Sequence, residues 1–348
     1  MGKLVLFSKD NQLNKYKSFN LMHKIYYTHI INIYLGRSSY FPHFNKIFVL
    51  YDDYELETIQ MIYNMLNING KLYLLQNEKY QKYFPDYKKK KDFYIIEKLN
   101  NIHYIIPTYR TVEFIICGVQ ASIDELITLN LSRHPDVYLN TNSDPKYSQA
   151  HFFDINWQYG TEYYKSFFNY SKKIVGEKTA SLIYLKYTYP LIYSINPHVK
   201  LIIILLNPAY RAYYHYIMAR DTWRYPKTFE EAIEEELNEK LSENVNFYTA
   251  ARHFVQKGYY YDQLSELLKW FPRYNILILF EEDIFKNKEL EFNKLANFLN
   301  IDNNFVDIKI NKRNDIKMDD NIYNKLINMY KDDIVKLEKL LNIKTNWI

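Results

Sequence analysis

Thr111-Val-Glu-Phe-Ile-Ile-Cys-Gly-Val-Gln-Ala-Ser-Ile-Asp-Glu-Leu126 reads as a buried strand, a tight turn and the start of a helix, closed downstream by His134-Pro-Asp136. Such a layout receives phosphates because free N–H groups at the helix start, the positive end of its dipole and a Lys or Arg converge on the anion. This turn offers Ala121, Asp124 and Glu125 instead. Ser122-Ile-Asp-Glu125 also fits the S-x-x-E capping box, whose side chains occupy the N–H groups an anion needs. The segment has the shape of a ligand site and the wrong charge for one.

Downstream, apolar runs at Lys200–Leu206 and Asn275–Phe280 alternate with helical patterns at Asp124–Leu131, Pro208–Arg220 and Glu289–Leu299. Continuous apolar strands between helices predict a parallel sheet covered on both faces. The spacing of Ile322, Leu326, Met329, Tyr330, Ile334, Leu337 and Leu341 predicts an amphipathic helix over Asp320–Leu341, with Trp347 as an aromatic anchor beyond it. Upstream, Lys46–Tyr51, Glu55–Leu66, the Asn69-Gly70 turn and Lys71–Leu75 read as strand, helix, turn and strand. That stretch faintly resembles the later half of a Rossmann-type methyltransferase, without a Gly-rich loop. Lys88–Lys91 reads as a solvated loop or linker. The fold class is α/β: a P-loop-like parallel sheet over residues 106–348, preceded by a small α/β domain at 1–105.

With 348 residues, 48% of them hydrophobic, the chain exceeds a comfortable single core. A formal charge of +5 is too small and too dispersed for a nucleic-acid binder. Cys117, the single cysteine, sits in an apolar run and reads as a buried strand residue. No apolar run reaches the roughly 20 residues of a membrane span, and the start is too short for a signal peptide, so the expectation is a cytoplasmic protein without membrane contact. The seven glycines are too far apart for a GxGxxG or Walker loop. No CxxC, HExxH or EF-hand pattern occurs, so no metal is expected.

Six landmarks nonetheless fall in one order. They are the Ile-Ile-Cys-Gly-Val119 strand with His134-Pro135; His151-Phe-Phe-Asp154 with Trp157 and Gly160; Gly176-Glu-Lys-Thr179; Lys200–Pro208 with Arg211-Ala-Tyr-Tyr-His-Tyr216; Gly258-Tyr-Tyr-Tyr261 with Trp270-Phe-Pro272; and Glu282-Asp283 with the last helix. From about residue 111 to 348 the chain resembles the sulfotransferases that use 3′-phosphoadenosine 5′-phosphosulfate (PAPS), especially the heparan-sulfate and bacterial branch. The resemblance implies PAPS as cofactor and a carbohydrate or protein acceptor. Carried over residue by residue, it makes Lys178 and His151 the catalytic candidates, and Arg211 and Ser122 the cofactor-binding ones.

The departures fall on the chemistry. Where the family's donor loop carries Lys and Gly, this chain has Ala121 and Ile123. The 3′-phosphate Arg and Ser correspond to Leu206 and Tyr214, and the carboxylate before the HFF segment corresponds to Gln149. A charge-assisted hydrogen bond contributes about 1.5–3 kcal/mol, so losing two cations costs roughly a thousandfold in donor affinity. The retained residues have plainer readings: Glu177 and Lys178 as an exposed charge pair, His151 as a core histidine, Arg211 as a helix cap or pair, and Tyr259–Tyr261 as packing. Two functions follow. One is a sulfotransferase-fold protein with an impaired donor site, kept as a binding or structural component. The other is an active sulfotransferase in which Lys178 and residues such as Lys312 and Arg313 replace the lost cations. The sequence names no acceptor and no oligomeric state.

Overall fold

The computed structural model describes residues 111–140, 149–238, 245–308 and 317–348, apart from the side chains of Gln158 and Glu162, together with the backbone of five strands nearer the N-terminus. Those strands are β1 (Leu4–Phe7), β2 (Phe44–Val49), β3 (Leu66–Leu75), β4 (Lys88–Lys90) and β5 (Phe93–Glu97), arranged β1-β2-β3-β5-β4. The first three are parallel, β5 runs antiparallel to β3, and β4 runs antiparallel to β5. Two expectations change here. Asn69-Gly70 is no turn but lies inside β3, where the register against β2 shifts between Phe44 and Lys46. A strand glycine commonly marks such an irregularity. Lys88–Lys90 is no loop but the edge strand of the sheet. Lysine is a usual edge residue because its charge opposes further strand pairing. The expected helix at Glu55–Leu66 lies outside the described residues, save that Leu66 begins β3.

The second sheet carries the site. Its strands are β6 (Phe114–Gly118), β7 (Val137–Leu139), β8 (Ile174–Lys178), β9 (Lys200–Leu205) and β10 (Ile276–Phe280), all parallel in the order β10-β9-β6-β8-β7. Side chains alternate across it. Ile115, Cys117, Leu201, Ile203 and Leu205 join one buried cluster, while Phe114, Ile116, Ile202 and Ile204 join the other. Helix α1 (Asp124–Ser132) contributes Leu126, Ile127 and Leu131 to the second cluster. Helix α2 (Pro208–Trp223) contributes Ala209, Ala212, Tyr216 and Ala219 to the first. A short helix, α3 (Phe229–Asn238), precedes α4 (Tyr260–Leu267), and α5 (Glu281–Lys286) and α6 (Lys288–Leu299) follow β10. The parallel sheet covered on both faces is therefore as the apolar runs require.

The last helix, α7 (Asp320–Leu341), occupies the span its periodicity marks out. Asp319 accepts the Asn321 and Ile322 N–H groups at its start, and Asn342 in the left-handed conformation ends it. Leu326, Tyr330, Ile334 and Leu337 face the first cluster. Trp347 is buried beyond it, its ring against Phe280 and Tyr260, with Nε1 donating to Glu282 at 3.0 Å. Gly258 is required here, because a Cβ would come within 2.6 Å of the Tyr330 ring. The Tyr259–Tyr261 run packs as read: Tyr260 is buried with its hydroxyl on the Leu206 carbonyl, and Tyr259 meets the Tyr330 ring edge-on.

Ile203 is fully buried and lies between its register partners Ile278 and Gly118. Ile203→Ala is expected to lower the unfolding free energy by about 2–5 kcal/mol, the combined cost of lost burial and the cavity left behind. Urea denaturation should report it as a lower midpoint at unchanged slope.

Candidate functional site

Strand β6 ends at Gly118, whose φ of +126° would strain any other residue and whose Cβ position lies 2.3 Å from the Ala180 carbonyl oxygen. The chain then turns through Val119–Ile123, with Ala121 in the left-handed region at φ 74°. The expected capping box does not form. Ile123 is the N-cap and provides no side-chain oxygen, while Ser122, one residue earlier, accepts the Asp124 N–H at 3.3 Å. Glu125 is exposed. A distant acid takes the turn's amide instead: Glu281 Oε2, from the end of β10, accepts the Ile123 N–H at 3.0 Å.

A cavity of about 450 Å³ opens beside this turn. Gln120, Ala121, Ser122, Asp124 and Glu125 form one side, and Gln149, His151, Lys178, Ala180 and Ser181 another. Tyr214, Ile217, Met218 and Trp223 from α2 close it with Phe247, Ala250, Ala251 and Lys257. The sheet therefore brings together three of the four candidate residues, Ser122, His151 and Lys178.

Lys178 does not pair with Glu177. The two alternate across β8, and Lys178 Nζ reaches Asp124 Oδ2 at 2.8 Å. Glu177 points into the first cluster, 1% exposed, in no ion pair among the described residues. Burial there pushes its carboxyl up to about 8, with Tyr164 hydrogen bonding opposing and the Asp154 charge adding to the rise. His151 borders the cavity, half-buried, with Nδ1 2.9 Å from Asp154 Oδ2 and its ring edge-on to Phe247. Asp154 is held in turn by the Ser181 hydroxyl at 2.7 Å. A histidine oriented by a fixed carboxylate can take up a proton from a hydroxyl. Gln149 cannot, and its Oε1 accepts the Ala180 N–H at 3.0 Å.

Arg211 stands apart from these three. It is 0% exposed, does not line the cavity, and donates through Nη2 to the Phe254 carbonyl. Lys312 and Arg313 lie outside the described residues.

A second cavity, about 630 Å³, lies past the N-terminus of α2, and Tyr214 lines both. Leu206, Asn207, Tyr210 and Tyr323 border it opposite Glu281, Glu282 and Asp283. Asn207 caps α2 with its own side chain, accepting the Ala209 and Tyr210 N–H groups, and its N–H donates to Glu282 Oε1 at 2.9 Å. The lysine here, Lys344, is paired with Glu338 at 2.8 Å.

Sequence reasoning missed Lys257 and Glu281. Lys257 is 4% exposed and donates to Gln120 Oε1 at 2.5 Å, yet its one local signal is its position before Gly258. Among the described residues no cluster of three or more His, Cys, Asp or Glu could hold a metal ion, and no helix is long and apolar enough to cross a membrane.

Known proteins show the same relationship. The chain is 25% identical over 175 residues to bifunctional heparan sulfate N-deacetylase/N-sulfotransferase 3 of Mus musculus, covering 49% of this chain and 20% of that protein. With bifunctional heparan sulfate N-deacetylase/N-sulfotransferase 1 of Caenorhabditis elegans it shares 32% identity over 112 residues, 31% of this chain and 13% of that one. The chain thus spans a fifth or less of the length of these two relatives. The crystal structure of a sulfotransferase from Alicyclobacillus acidocaldarius superposes with a TM-score of 0.57 at 21% identity, covering 68% of this chain and 98% of that one, a likeness of fold. Residues 121–339 match the family model of the sulfotransferase domain. On that match, which takes in the turn, β8, β9 and most of α7, the chain belongs to the sulfotransferase domain family.

Proposed function

We propose that this chain is a sulfotransferase-fold protein whose donor turn no longer accepts PAPS and which serves as a binding or structural component. The observation that carries this reading is the pairing of Lys178 with Asp124 in the cavity. The retained cation is already neutralised, by an acid on the very turn that should receive the donor. Glu281 adds to it by taking the Ile123 N–H, one of the amides a phosphate would use. Around the second cavity Leu206 and Tyr214 stand where the family places groups for the 3′-phosphate, facing Glu281, Glu282 and Asp283. These residues do not fit the 3′-phosphate of the nucleotide, which would meet carboxylate and hydrocarbon here.

Thermal denaturation with 3′-phosphoadenosine 5′-phosphate tests the reading. The midpoint is expected to stay unchanged at sub-millimolar nucleotide, and a rise of several degrees would contradict it, since ligand bound to the native state must stabilise it.

One observation favours a second reading, an active sulfotransferase acting on a carbohydrate or other hydroxyl. His151, held by Asp154, borders the same cavity as Lys178. The relatives' names include heparan sulfate, which makes a carbohydrate the first acceptor to try. On this reading Lys178→Ala abolishes transfer, and an unchanged rate removes it. Two domains, 1–105 and 106–348, and a cytoplasmic setting complete the proposal.

A further inference from the structure

Arg211 and Lys257 are the two cations buried below a tenth exposure among the described residues, and Lys257 is the one that lines the cavity. Its Nζ donates to the Gln120 side chain and lies 5.6 Å from the centre of the Tyr184 ring, but no carboxylate forms an ion pair with it. The titratable groups packed around it are mostly basic. From α2 come the Arg211 guanidinium and His215; from the loop after α3 comes His253, bonded to the Tyr184 hydroxyl. Glu236 on α3 offsets part of the charge while accepting the Val255 and Gln256 N–H groups at 2.7 and 2.8 Å, and Asp124 and the exposed Glu125 line the same cavity. Lys178, across the cavity, is matched by Asp124. The cavity therefore holds one unmatched ammonium site at the head of the donor turn.

We propose that Lys257, supplied from the loop ahead of α4, is the anion-binding residue of this cavity, and that its ligand is a molecule with one singly charged oxyanion on an apolar body. A buried ammonium without a partner is costly, and one oxyanion relieves that cost. The proton count agrees. Burial and the Arg211 charge push the Lys257 amine well below the usual lysine range, so an arriving anion favours its protonation. Ile217, Met218, Phe247 and Trp223 supply apolar and aromatic wall for the rest of the ligand. Among the described residues lining the cavity a polyanion finds no second free cation, which ties this inference to the reading that the turn no longer takes the nucleotide.

Calorimetric titration with 2-naphthyl sulfate, 2-naphthol and inorganic sulfate between pH 6 and 8 tests it. The aryl sulfate should bind more tightly than the naphthol and should not lose affinity as pH falls. Lys257→Met should weaken it by about tenfold to a hundredfold. Equal affinity for the naphthol, unchanged binding by folded Lys257→Met, or no binding of the aryl sulfate at millimolar concentration each overturns the proposal. Should Lys257→Met fail to fold, the comparison of the aryl sulfate with the naphthol on the natural sequence decides, and equal affinity overturns the proposal. A nucleotide-induced thermal shift sinks the donor-site reading without touching this measurement.

Discussion

A triple variant, Ala121→Lys, Asp124→Thr and Glu281→Ala, is expected to bind 3′-phosphoadenosine 5′-phosphate roughly a thousandfold more tightly than the natural sequence, about 4 kcal/mol. Each change removes one obstacle. Ala121 already occupies the left-handed region at φ 74°, so a lysine there adds a cation without adding the strain of a Cβ. Asp124→Thr releases Lys178 from its 2.8 Å pairing and places an uncharged hydroxyl at the helix start. Glu281→Ala frees the Ile123 N–H for an incoming oxyanion. Each restored charge-assisted contact contributes about 1.5–3 kcal/mol, so no single change should match the triple. Calorimetry on the natural sequence, the three single variants and the triple variant checks it. Tight binding by the natural sequence refutes the self-satisfied turn; a triple variant no better than the parent moves the cause to Leu206 and Tyr214.

Glu177→Gln is expected to stabilise the fold by about 3–5 kcal/mol at pH 8 and hardly at all near pH 4. In the native state burial holds the proton on Glu177 up to about pH 8, whereas an ordinary glutamate releases it near 4.5. Between those values the unfolded chain binds fewer protons than the folded one, so stability falls as pH rises, by about 1.4 kcal/mol per unit. The contribution is complete below 4.5 and lost by about 8. Glutamine keeps the shape without an ionisation to oppose. Asp333, which burial raises to about 6, slopes the same way but is common to both proteins. Urea denaturation across pH 4–8 should give converging curves at the acid end. Parallel curves would refute the burial argument.

The strand-turn-helix at Phe114–Ser132 and the terminal helix at Asp320–Leu341 were legible because their information is local: a continuous apolar run, a 3.6-residue apolar repeat, and Gly118 at the turn. The landmark order carried the family for the same reason. The chemistry of the cavity was not legible, because its decisive contacts join residues far apart in the chain. Nothing near Ile123 announces that Glu281 takes its N–H, and nothing near Gln120 announces Lys257. The S-x-x-E pattern misled because it fixes spacing and not the position of the N-cap, which fell one residue later, on Ile123. The Glu177-Lys178 pair misled because adjacent strand residues point to opposite faces, one into the core and one toward Asp124.

Tyr214 has a place in the lining of both hollows, its ring stacked on Tyr210 with centroids 6.0 Å apart. A molecule that displaces this ring from one side changes the room on the other. Occupancies of the two compartments are then linked, and reciprocity requires that each guest alter the other's affinity by the same factor.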